Sequence, residues 1–149
     1  MTLAYLPPVI ARLRAQVPGL RQVAGLAEFG AVAENTVGLP AAFVCFEREH
    51  REEADDSFEA PLSGVMRVDL TVMLAVASVR DSRGEAAAQA IEALAGQCRA
   101  ALAGWSPLAA ADAGMDSRCW YDGMAFRGFK DATLWFALDF HFSYVLSID

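Results

Sequence analysis

The sequence is poor in the patterns that most protein chemistry needs. It has three cysteines, Cys45, Cys98 and Cys119, with no CxxC spacing, and only two histidines, His50 and His141. An odd, scattered set of cysteines argues against a disulfide framework and reads as reduced thiols. No glycine-rich phosphate loop, zinc spacing, G-x-S-x-G elbow or H-E-x-x-H helix occurs, which removes the signatures of the commonest enzymes. No apolar run reaches the roughly 18 residues that cross a bilayer. The opening MTLAYLPPVIARLRAQ has no basic stretch followed by a long apolar one, because Arg12 and Arg14 interrupt it early, so a soluble protein made in the cytoplasm is expected.

Basic residues are also in short supply. Lys and Arg number 12 against 19 Asp and Glu, a net charge of −7, and the basic ones are scattered rather than clustered. A groove built to neutralise phosphates is therefore not expected. What the chain does have is apolar content, 55% of its 149 residues. That is enough for one domain with a single core, and it leaves apolar surface for partners.

Periodicity places the elements. Pro7 and Pro8 suit the first turn of a helix, and Leu6, Ile10, Leu13 and Val17 recur on one face, predicting a helix over 6–16 that stops at Pro18-Gly19. A short strand over 20–24, one or two helical turns in GLAEFGAVAEN, and a buried strand AAFVCFERE after Pro40 follow. Val65 to Val79 reads as one long strand, with Met66, Val68, Leu70, Val72, Leu74 and Val76 on one face and Arg67, Asp69 and Thr71 on the other. Ser82 and Glu85 have capping-box spacing, so a helix is expected to start there. Ile91, Leu94, Cys98 and Leu102 form its apolar stripe; Gly104 and Pro107 stop it. Trp105, just past the stop, is read first as a lid on the core and second as a contact for a partner. Further on, Asp122-Gly123 marks either a tight turn or a bulge within one longer strand. The last strand, TLWFALDFHFSYVL, has the clearest alternation in the chain. The fold expected is α+β, a mostly antiparallel sheet with two main helices packed on one face.

His50 and Glu53 have HxxE spacing, but a lone histidine in an acidic loop is not a ligand set. Cys45 lies inside the apolar run FVCF, where thiols serve packing. His141 and Asp139 share the polar face of the last strand with Arg67 and Asp69 nearby, and cross-strand ion pairs account for them better than an active site does. No enzyme activity, metal or cofactor is expected. Residues 49–63, EHREEADDSFEAPLS, hold six carboxylates, Glu49, Glu52, Glu53, Asp55, Asp56 and Glu59, beside Phe58. They read as a long exposed loop or arm.

The stretches IARLRAQVPGLRQVAG, LPAAFV, VDLTVMLAVASVRDSRGEAA, AALAGWSP and FKDATLWFALDFHFSYVL, in that order, resemble the tail terminator proteins of bacteriophages and prophages. The resemblance spans nearly the whole chain and implies one domain over 1–149. The segment 108–128, with CWYDGMAF, and the acidic arm depart from the family pattern. The resemblance implies a structural virion protein: a homohexameric ring at the head-proximal end of the tail tube that ends tube growth and joins the head. Its implied partners are its own copies, the tail tube protein, the head-tail connector and, in a contractile tail, the sheath. DNA would slide through the lumen without specific binding, and no membrane is involved. The interface candidates are the six carboxylates of the arm with Phe58, Trp105 and an exposed Trp135. The alternatives are another head-tail completion protein, or a small cytosolic ligand-binding protein or enzyme that uses His141 and Asp139.

Overall fold

The computed structural model describes residues 4–25, 38–52, 63–77, 85–130 and 132–146. Helix α1, Leu6–Gln16, has proline in its first turn and buries Val9 and Leu13, because those first N–H groups have no helical acceptor to lose. It ends as predicted, with the Val17 N–H donating to the Leu13 carbonyl at 2.9 Å. Strands β1, Gln22–Gly25, and β2, Ala41–Arg51, follow, then β3, Gly64–Ala77. Helix α2 is Glu85–Leu102, and a single helical turn, α3, is Ala110–Ala113. Strands β4, Trp120–Lys130, and β5, Thr133–Leu146, close the chain.

The five strands form one sheet in the order β1-β2-β3-β5-β4. Only β1 and β2 are parallel; every other neighbouring pair is antiparallel. Strands β3 and β5 pair along their whole length, from Gly64 opposite Leu146 to Ala77 opposite Thr133, so the two clearest alternations in the sequence lie side by side in the centre. Their inward residues, Val68 to Val76 and Leu138 to Tyr144, share a core with Val9 and Leu13 of α1 and Ile91, Leu94, Cys98 and Leu102 of α2. Both helices thus cover one face of an α+β sheet, as expected. On the opposite face a smaller cluster gathers Phe43, Ala41 and Ala75 with Leu39.

The acidic arm is shorter than the sequence suggested. Strand β2 continues through Glu49, His50 and Arg51, paired with Val68, Arg67 and Met66, and the Glu52 N–H still donates to the Val65 carbonyl at 3.0 Å. The long β3 offers ladder partners that far, and a strand end tolerates charge when its side chains reach water or a donor. Residues 53–62, Ser82 with its capping box, and most of GLAEFGAVAEN lie outside the described residues.

Asp122-Gly123 is a bulge and not a turn. The β4–β5 register shifts between Tyr121 and Gly123, and again between Phe126 and Gly128. Gly123 and Gly128 have φ of 147° and 144° with nothing near the site of a Cβ, so glycine is needed there for its backbone freedom rather than for space. Each extra residue resets the alternation. As a result Tyr121, Met124, Phe126 and Phe129, opposite Phe140, Leu138, Phe136 and Leu134, all fall on the helix side of the sheet.

Candidate functional site

Strand β4 is an outer edge of the sheet, and it is apolar. Trp120, Met124, Phe126 and Phe129 are 61%, 42%, 58% and 60% exposed. The helix layer reaches only the start of this strand: the Arg99 guanidinium of α2 lies 5.4 Å from the Tyr121 ring centroid. Beyond Tyr121, Phe126 lies against the half-buried Phe136, ring centroids 5.3 Å apart. Edge strands in monomeric proteins are usually guarded by charge, so an aromatic edge of this kind marks an interaction surface. CWYDGMAF stands out in the sequence as a departure from the family pattern, but local pattern does not single out these four side chains. The missing signal was the second bulge, between Phe126 and Gly128, which brings Phe129 to the side that Met124 and Phe126 share.

The face of the sheet away from the helices carries a charged network. The Arg67 guanidinium donates to Asp69 at 2.8 Å and lies 3.5 Å from Asp122. His141 Nδ1 is 2.8 Å from Asp122, and the Thr71 hydroxyl donates to Asp139 at 2.7 Å. His141 and Asp139 therefore serve different partners and form no dyad. The Asp69 hydrogen bond raises the Arg67 pKa further, against an opposing effect of burial. A depression of about 350 Å³ opens here between Arg48, Arg67, Asp69 and Asp139, where Asp69 lies against both Arg48 and Arg67 and Asp139 accepts from Thr71. His50 Nδ1 accepts from Arg48 at 3.0 Å, and among the described residues no group of three His, Cys, Asp or Glu could hold a metal.

The root of the acidic segment is tied to the end of β5. The Ser143 hydroxyl donates to Glu52 at 2.5 Å, and the Tyr144 hydroxyl donates to Glu49. Burial and the Glu49 carboxylate both push the Tyr144 pKa above its ordinary value. Glu53, Asp55, Asp56, Phe58 and Glu59 lie outside the described residues. Trp105 packs half-buried against the core with the Arg12 guanidinium 5.5 Å over its ring, the lid predicted for the end of the long helix. Trp135, expected to be exposed, is instead half-buried beside Phe43, centroids 6.0 Å apart, because the second apolar cluster lies under it. All three thiols are buried. Desolvation pushes Cys98 and Cys119 up to about 12, so neither is a nucleophile at neutral pH.

These surfaces suit assembly and not catalysis, and comparison with known proteins agrees. The family model described as phage tail terminator protein matches residues 1–149, the whole chain. The chain belongs to the phage tail terminator family. A tail terminator is a structural virion protein, not an enzyme, so the catalytic alternative falls away. A chain from the solved structure entitled "Virion of native gene transfer agent (GTA) particle" shares the fold, with a TM-score of 0.50 at 16% identity over 92% of this terminator and 91% of that chain. No curated protein is similar enough to count as a match. Among the described residues of the terminator, no helix is long and apolar enough to cross a membrane.

Proposed function

We propose that this terminator forms a six-fold ring at the head-proximal end of the tail tube, where it ends tube growth and presents the joining surface for the head-side connector. The observation that carries the reading is the family match over the entire chain. The exposed aromatic edge of β4 supports it, because a ring is built from heterologous contacts, one patch of each subunit meeting a different patch of the next, and closure gives a defined stop. The partners in this reading are copies of itself, the tube protein, the connector and, in a contractile tail, the sheath. A net charge of −7 favours DNA sliding through without being held.

The acidic segment beyond Glu52, rooted by Glu49 and Glu52, is the proposed docking element, and Trp105 and Trp135 retain enough surface to contribute contacts. Deleting the reading frame from its source genome tests the role directly. Electron microscopy is expected to show overlong tubes or tails not joined to heads; tails of normal length already joined to heads would reject it. Complementation with a chain lacking residues 53–62 is expected to restore a folded protein that joins tails poorly. Full restoration would remove the segment from the mechanism.

A further inference from the structure

The helix layer sits off-centre on the sheet. α1 packs over β1 and β2 and α2 over β3, with Ile10 of α1 close over Gly25 at the β1 edge, whereas among the described residues Met124, Phe126 and Phe129 at the β4 edge remain 42–60% exposed, with no described helix covering them. One margin of the molecule is therefore a sheet edge roofed by a helix, and the other a sheet edge with bare aromatic side chains. These two margins are the ends of the strand order β1-β2-β3-β5-β4.

Strand directions make the margins compatible. β1 runs parallel to β2, and each later step across the sheet reverses direction, so β4 runs opposite to β1. A second copy set beside the first in the same orientation would bring its β1 antiparallel to β4, with the helix sides of both sheets continuous. Its α1 would then stand beside the unroofed Met124, Phe126 and Phe129, where the half-buried Leu6, Ile10 and Leu20 supply apolar surface. The added copy leaves its own β4 bare, so the same contact repeats until it closes.

The patch also has the right character for a subunit joint. Trp120 projects to the opposite side of the strand from Met124, Phe126 and Phe129, since it pairs with His141 while they pair with inward residues. An edge with three apolar side chains on its helix side and Trp120 on the other is suited to another sheet edge, which flanks it above and below. The exposed parts of these four side chains amount to on the order of 450 Å², over half of the roughly 800 Å² that each partner gives to a standard interface. The adjoining main chain and α1 would have to supply the remainder.

We infer that the outer half of β4, centred on Phe126, is one side of the joint between neighbouring copies, and that the α1–β1 margin is the other. This rests on the ring reading above. The test is to replace Phe126 by the photoreactive p-benzoylphenylalanine, irradiate assembled particles, and map the cross-linked peptides. A covalent dimer of this chain joining residue 126 to the segment 6–25 is the expected result. Cross-links only to a different virion protein, or only to another part of a second copy, would overturn the inference, as would no cross-link in particles that contain the chain. Counting copies and imaging the tail end in the same particles keeps the two readings separate. A six-fold ring without the 126-to-6–25 cross-link sinks the joint alone, and particles lacking the chain sink both.

Discussion

Strands β5 and β4 are joined by a hairpin and are similarly aromatic, yet they meet opposite fates. In β5 the inward Leu138, Phe140, Phe142 and Tyr144 are at most 3% exposed, held between β3 and the helices. In β4 the residues on the same side of the sheet lie open beyond Tyr121. The apolar content of β5 stabilises the fold, whereas that of β4 goes largely unused within the chain. Aromatic composition alone does not distinguish a core strand from a contact strand; position in the sheet and the reach of the helix layer do.

The strongest way to break this comparison is to truncate one aromatic of each kind. Phe140→Ala removes a fully buried ring and is expected to cost about 3–5 kcal/mol, lowering Tm by roughly 6–20 °C at this chain length. Phe126→Asp, on the same side of the sheet, is expected to stay within about 0.5 kcal/mol of the parent while abolishing assembly. Calorimetry and native mass spectrometry on both variants check this; equal losses of stability would show that β4 belongs to the core.

A second expectation concerns the core around Cys98 and Cys119. Their folded pKa is raised from 9.0 to about 12, so the unfolded chain releases protons first as pH rises. Stability contributed by the protonated thiols is complete below pH 9 and falls through the window up to about 12, by about 1.4 kcal/mol per pH unit for each thiol. Urea unfolding at pH 8 and pH 10 should show the loss, and a Cys98→Ala, Cys119→Ala variant should show a shallower one.

The smallest effect is expected on the charged face. Asp122→Asn weakens the links to His141 and Arg67, all at least partly open to water, and is expected to cost about 0.2–1 kcal/mol. The difference should shrink in high salt. A cost that high salt leaves unchanged would show that the network supports the fold by packing rather than by charge.

Much of the fold was legible in advance because it depends on local rules. The proline-started helix, the stripe from Ile91 to Leu102, and the alternations that pair as β3 and β5 all follow from side-chain period and capping chemistry. The polar face was legible in part: ion pairs were expected there across strands among Arg67, Asp69, Asp139 and His141, but Arg67 pairs with Asp69 along its own strand, and His141 pairs across strands with Asp122. The end of β2 was less so. A run of charge looks like a loop until a long neighbouring strand supplies the ladder, and the hydroxyls of Ser143 and Tyr144 that tie down Glu52 and Glu49 come from more than ninety residues away in sequence.

The sequence by itself determined the family, the element types and the faces that alternation assigns to β3 and β5, because these depend on residues near one another along the chain or on its overall order. Only the tertiary structure decided which aromatics remain outside. Two bulges placed Met124, Phe126 and Phe129 on the helix side, the strand order made β4 an edge, and the off-centre helices left it bare. Trp135, by contrast, was partly covered because Phe43 of a distant strand lies beside it. Exposure depends on what packs overhead, and no local pattern carries that information.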